Sequence, residues 1–463
     1  MSLTQPLTRP LTTALSRAIT SPGVGGGAAP AWNPSDWYAA GEQGFALYPT
    51  INFAGLYQDS AGATPITAVE ELVGKHNDKS GRGNNATQAT SAARPVLSAR
   101  HNAILASEDL SAVAWGLMGV QPFGSGSIIN VGASGIATAD FIAEDSSTAV
   151  HGVQQSPASG SDSVSIQCKI KAGTRGFAML TAFSGAANIN VAVNLTTAAV
   201  SAIDDQYGSF TNTTVSAALL PSGFVLLRLS GRRAGIAIDS VRLTIAQSLT
   251  TAYGGQSYAG DGTSGIYVAE FDVEPSLAAR TYQRVTTATN YDTSFPLYEG
   301  TDGVDDSQAT AAGGGASTYA AIVMAFRTSS VGSAQTLFSD RSGNTGLKLE
   351  ITAGGNIALS GGNGGSINTA TGAAVTAGTD YVVTAIYDGA SLSVQLNNGA
   401  ATTAACALSA GTAAVSLGKD NGAATGFFLG RRYGMLYAKD AAKSAGDIAS
   451  AKTYIGALAG ITL

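Results

Sequence analysis

Apolar and polar positions alternate in short runs along most of this chain. Val164-Ser165-Ile166-Gln167-Cys168-Lys169-Ile170 and Val241-Arg242-Leu243-Thr244-Ile245 put every second side chain on one apolar face, and comparable runs lie at Ile189 to Val193, Phe224 to Leu229 and Ile266 to Val273. A period of two is that of a strand with one face buried. Gly, Ser, Asn or Asp bounds each run, and these residues supply turn chemistry. The last third repeats the theme. Leu347 to Ile351 alternates, Ala353-Gly354-Gly355 turns the chain and Ile357-Ala358-Leu359 returns; Tyr381 to Tyr387 reads as a strand, Asp388-Gly389 as a turn, and Leu392, Val394 and Leu396 as the strand after it. Ser444, with Asp447 three residues on, has the form of a helix cap and predicts a short C-terminal helix that packs with Ile448, Tyr454, Ile455 and Leu458.

The first thirty residues differ. An apolar residue returns every four positions at Leu3, Leu7, Leu11, Leu15 and Ile19. Pro6 and Pro10 forbid one continuous helix, but a helix from Pro10 onward would carry Leu11, Leu15 and Ile19 on one face. That stripe is too small to make a core, so it is expected to dock on a partner or on copies of itself. A Gly-rich linker from Ser21 to Gly27 follows.

Composition sharpens the class. The chain has 463 residues, 58 of them Gly, with 44% hydrophobic but only 12% charged side chains, which excludes a disordered polyelectrolyte. The net charge of −6 and the lack of a basic run argue against a nucleic-acid partner. No stretch is apolar enough to span a membrane. Cys168 and Cys406 follow no metal-ligand spacing and read as free buried thiols, a disulfide between them being the alternative. His76, His101 and His151 form neither a zinc pair nor a basis for a triad.

One tract breaks the low charge density: Glu299-Gly300-Thr301-Asp302-Gly303-Val304-Asp305-Asp306-Ser307. Asp302, Asp305 and Asp306 can be read as ligands for a hard cation such as calcium. They can equally be solvated turn residues between two strands, and the EF-hand spacing is absent.

Several of these segments resemble known families. Tyr381 to Gly399, with the closing order Leu-Gly, Phe-Leu-Gly and Tyr-Gly-Met-Leu-Tyr before a terminal helix, resembles the concanavalin A-like, laminin-G-like jelly roll. The opening Leu-Thr-Arg-Pro units, Leu56 to Thr67, Asp78 to Gln88, Arg94-Pro95 and the Asp-Gly-Val-Asp-Asp-Ser tract resemble bacteriophage and prophage virion proteins. In simpler relatives the last tract follows soon after Arg-Pro; here about 200 residues intervene. The resemblance implies an all-β chain of two jelly-roll sandwiches: an anchor and linker at 1–31, a discontinuous lectin-like domain at 32–100 and 284–463, and an inserted carbohydrate-binding-module-like sandwich at 101–283. It further implies a virion fibre, spike or decoration protein made in the host bacterial cytoplasm and carried on the particle surface. Residues Leu3, Leu7, Leu11, Leu15 and Ile19 would engage capsid, portal or tail proteins, and the sandwiches would bind host-surface glycans as a homotrimer.

Two sets of residues carry the remaining chemistry. Glu270-Phe271-Asp272-Val273-Glu274 resembles the Glu-x-Asp-x-Glu of licheninase-type glycosidases, and regular alternation would put Glu270, Asp272 and Glu274 on one face. Residues four apart on a strand lie roughly 13 Å apart, whereas retaining hydrolysis needs carboxyls about 5–5.5 Å apart. A non-enzymatic protein is therefore expected, with a tailspike-type depolymerase or a sugar-free capsid cement as alternatives. Trp115 and Tyr253 are the candidate sugar-stacking rings.

Overall fold

A computed structural model describes residues 32–38, 42–121, 139–157, 160–250, 256–421, 423 and 425–463. The five anchor positions from Leu3 to Ile19, and Tyr253, lie outside these. Among the described residues the protein is all-β, with several antiparallel sheets paired into sandwiches and one α-helix near the C-terminus.

An eight-stranded and a nine-stranded sheet form the first sandwich. Phe45, Ile322, Met324, Phe326 and Val383 from one sheet meet Phe338, Leu349, Ile357 and Leu417 from the other in a shared core. The strand Ala320–Thr328 is buried throughout. Its apolar residues do not alternate with polar ones because both of its faces are covered. Ile322 and Met324 point between the sheets, while Ala321, Val323 and Ala325 point to Trp37, Ala451 and Ile455 on the opposite side. The helix Ala445–Leu458 covers that second face. Ser444 and Asp447 start it with a reciprocal capping box, as their spacing predicts. Gly434 lets it approach, since a Cβ there would stand 2.8 Å from Leu458 Cδ1 and 2.9 Å from Tyr48 Cβ.

The second sandwich is built from a five-stranded and a six-stranded sheet. Ile166, Cys168, Ile170, Leu227 and Val268 face Leu180, Ile189, Val191, Val241 and Leu243 across its core. The named strands from Gly116 to Glu274 pair only among themselves. The chain leaves the first sandwich at the strand Val96–Ser98 and re-enters it at Tyr298–Asp302, and these two strands pair, with Ser98 opposite Tyr298 and Leu97 opposite Glu299. Tyr298–Asp302 then lies along the first half of the strand Leu429–Lys439, whose second half pairs on the same edge with Gln43–Leu47.

The crossing is held by two amides. Gln283 Oε1 accepts from the His101 and Asn102 backbone N–H groups, and its Nε2 donates to the carbonyls of Ala99 and Asp292. Asn102 Nδ2 donates to the carbonyls of Phe271 and Gln283, and its Oδ1 accepts from Val273 N. Both side chains are buried, so the outgoing and returning strands satisfy each other's backbone where water cannot. The two sandwiches also touch directly: Gly378 sits so close to the Pro275 carbonyl that a Cβ would be 2.1 Å from its oxygen.

Candidate functional site

The returning strand Tyr298–Asp302 organises the chemistry, and its pleat separates its side chains. Glu299 points between the sheets, where it accepts from Arg432 and lies 2.5 Å from His76 Nδ1. Burial alone would raise its carboxyl, but Arg432 and His76 outweigh burial and hold it at about 2. Glu299 is therefore a structural ion pair inside the first sandwich, separate from the three aspartates that follow it in sequence.

Tyr298, on the opposite face, lines a cleft of about 350 Å³. The outgoing segment around Ser98 and Asn102, the turn residues Asp302 and Asp306, Pro275 and the strand end at Arg327 enclose it. Its floor is cationic. Arg327 makes a two-point pair with Asp380, Nε to Oδ1 at 2.9 Å and one terminal nitrogen to Oδ2 at 2.7 Å, and Tyr433 Oη donates to the same carboxylate at 2.7 Å. Arg280 reaches Asp380 from the segment after the second sandwich and places Nε 3.6 Å from Glu274. Arg431 stacks over the Tyr298 ring at 4.5 Å. His101 Nδ1 accepts from Arg280 at 2.8 Å and Arg431 at 2.9 Å. Burial, then the neighbouring arginines, push this imidazole well below its usual range, so it is neutral and carries its proton on Nε2. Nη1 of Arg327, on a side chain only 2% exposed, has no hydrogen-bond partner.

The acidic turn forms one wall. Carboxylate oxygens of Asp302, Asp305 and Asp306 lie within 4.8 Å of one another. Burial, then Asp302 and Asp305, push the Asp306 carboxyl up to about 7. Part of the cluster is turn chemistry: Asp302 Oδ1 accepts from Val304 N and Asp305 N, and Asp306 Oδ2 from Asp302 N. A hard cation would use the remaining oxygens and would need carbonyls or water to reach the six to eight ligands calcium takes.

The Glu270-Asp272-Glu274 run does not form an open carboxylate pair. A bulge between Ala269 and Asp272 interrupts the alternation, and Glu270 takes a positive φ of 51° and an ion pair to Lys169 at 2.6 Å. Asp272 and Glu274 are each 1% exposed. Burial, then the charge on Glu274, raise the Asp272 carboxyl well above the usual range, and it accepts from Gln167 at 3.0 Å. Neither side chain lines the cleft. Trp115 is likewise no sugar platform. It is 4% exposed, its ring meets Phe271 edge-on at 5.1 Å and its Nε1 donates to the Ala106 carbonyl. Sequence reasoning missed the arginine floor, because Arg280, Arg327, Arg431 and His101 come from four separate segments.

A larger cavity of about 700 Å³ runs beside the C-terminal helix, but its lysines already have hydrogen-bond partners. Lys452 donates to Gln395 at 3.0 Å and Asn398 at 3.1 Å, and Lys443 to Glu42 at 2.5 Å. Of the two, the cleft is the one that offers a buried donor in need of a partner.

No family model matches the chain, and no curated protein matches it either. Among solved structures it is similar to the mouse laminin alpha1 chain, domains LG4-5, with a TM-score of 0.26 and 14% identity over 60% of this chain and 84% of that one. It is also similar to the NanB sialidase of Streptococcus pneumoniae, at 0.24 and 15% over 28% of this chain and 23% of that one. A third likeness is to a Bacteroides ovatus protein described as a candidate carbohydrate binding protein, at 0.23 and 9% over 58% and 73%. The chain thus spans less than a quarter of that sialidase. The β-sandwich assignment rests on the sheet order above.

Proposed function

We propose that this chain is a bacteriophage virion surface protein that binds host-surface glycans in the cleft between its two sandwiches. Segment 1–31 holds it to the particle, and a homotrimer is its working state. The observation that carries the binding reading is the cleft itself: a concave polar site that combines a buried guanidinium, one nitrogen of which has no partner, with carboxylate acceptors on its wall. Sugars present many hydroxyl donors, and such a site gives them fixed acceptors and donors. The virion placement rests on the opening Leu-Thr-Arg-Pro units and the Arg-Pro and Asp-Gly-Val-Asp-Asp tracts. Burial of Asp272 and Glu274 favours binding without cleavage.

The test uses the purified full chain on immobilised bacterial polysaccharides and intact cells. Saturable retention that competes with particle adsorption, without release of shorter sugars, is expected. A chain that binds no glycan yet still decorates particles would mark it instead as a capsid cement. A chain lacking residues 1–31 should bind glycans normally and fail to join the particle.

A further inference from the structure

The floor and the wall of the cleft carry opposite charge, and that asymmetry points to a ligand class. We propose that the cleft selects a sugar residue bearing a carboxylate, whose acid group takes the free Nη1 of Arg327 while its hydroxyls donate to Asp302 and Asp306. This rests on the glycan-binding reading above and deepens it.

Three observations converge. First, Arg327 is fixed. Its other nitrogens hold Asp380 in a two-point pair, so Nη1 is a preorganised donor rather than a mobile side-chain end. A buried N–H left unpaired costs free energy that an anionic acceptor recovers. Second, the charges do not cancel. The guanidiniums of Arg280, Arg327 and Arg431 outnumber the carboxylates of Asp380 and Glu274 by three to two, and His101 between them is neutral. Arg100, also in the lining, is balanced by Glu70. Burial, and after it Arg431 and Arg280, pushes the Arg327 guanidinium down to about 9, chiefly the response of a cation taken out of water. Third, the surplus is a single charge, and Asp302 and Asp306 line the same cleft, with Asp305 close beside them. A monoanion satisfies the floor and is repelled by that wall about half as strongly as a doubly charged phosphate. The cleft volume of about 350 Å³ lies at the lower end of the roughly 300–1,000 Å³ found for ligand pockets, the range for a small ligand such as one or two sugar rings.

Glu274 offers the competing explanation. Both of its oxygens are buried without hydrogen-bond partners, and it lies near the same arginines. If Arg327 merely served Glu274 through water, the acid group of a ligand would be irrelevant.

The test is calorimetric titration of the full chain with oligosaccharides of galacturonic acid, of glucuronic acid and of sialyl-lactose type. Each is paired with its carboxyl-reduced or desialylated counterpart, and a phosphorylated neutral sugar is included. At least one acidic member should bind about tenfold or more tighter than its neutral partner, the scale of one charge-assisted hydrogen bond, and the gap should shrink with salt. Arg327→Lys keeps a cation for Asp380 but removes the fork, and should abolish the gap. Equal binding of acidic and neutral members overturns the carboxylate assignment and leaves glycan binding standing. Binding by neither overturns both. Preference for the phosphorylated sugar, or a gap that survives in a folded Arg327→Lys, also overturns it. If that variant does not fold, the paired ligands alone decide.

Discussion

Asp306→Asn isolates the electrostatics of the cleft wall in one atom. Asp306 is buried, and burial with the nearby Asp302 and Asp305 lifts its carboxyl from 3.8 to about 7. A folded-state value above the unfolded one means that the native protein holds this proton more tightly. The stability it contributes is complete below pH 3.8 and is lost as pH rises towards 7. At roughly 1.4 kcal/mol per pH unit, full ionisation costs the fold about 4 kcal/mol, of which about 3 kcal/mol falls between pH 5 and pH 8. Asp302 is exposed, so solvent screening reduces the observable figure to about 1–3 kcal/mol. An asparagine can still accept from Asp302 N through its amide oxygen, so the turn survives. Urea unfolding followed by tryptophan fluorescence reads the effect. Trp32 and Trp37 report on the first sandwich, where Asp306 sits, and Trp115 on the second. The native chain should lose stability in the first-sandwich transition from pH 5 to pH 8, while the asparagine variant stays nearly flat and is the more stable at pH 8. Parallel curves for the two proteins would refute the reasoning.

Three further outcomes follow from the packing. Gln283→Ala removes the partner of four backbone groups at the crossing and should cost about 3 kcal/mol, with earlier proteolysis between residues 99 and 107. Gly434→Ala drives a methyl into Leu458 and Tyr48; it should cost about 1–3 kcal/mol and loosen amide protection over Ala445–Leu458, read by hydrogen exchange. Cys168 and Cys406 are free and buried, and burial raises both thiols, so neither should react with a thiol reagent until the protein unfolds.

Much of the scaffold was legible from local pattern. The runs around Val164, Val241, Ile266 and Tyr381 lie within the strands Ser163–Ala172, Ser240–Ile245, Gly265–Glu274 and Asp380–Tyr387, because short apolar-rich runs bounded by turn residues favour strands. The tract after Leu297 pairs with the strand beyond Arg94-Pro95. Two things were not legible. The Glu270 bulge depends on a non-glycine residue taking a left-handed backbone, and nothing in the Glu-x-Asp-x-Glu spacing signals it. The cleft floor is assembled from His101, Arg327 and Arg431 with Arg280 against them, side chains separated by up to 330 residues, and charges brought together at that distance leave no periodicity to read. Trp115 failed as a candidate for a related reason: an indole suited to stacking on a sugar is equally suited to packing on Phe271.

The central claim is that glycan binds between the sandwiches, and amide hydrogen exchange of the full chain with and without a bound acidic oligosaccharide tests it most directly. Protection should rise over residues 96–103, 298–306 and 327–329 together, three of the segments that line the cleft. Protection confined to the helix Ala445–Leu458 and its cavity, or to the outer strands of either sandwich, would contradict it.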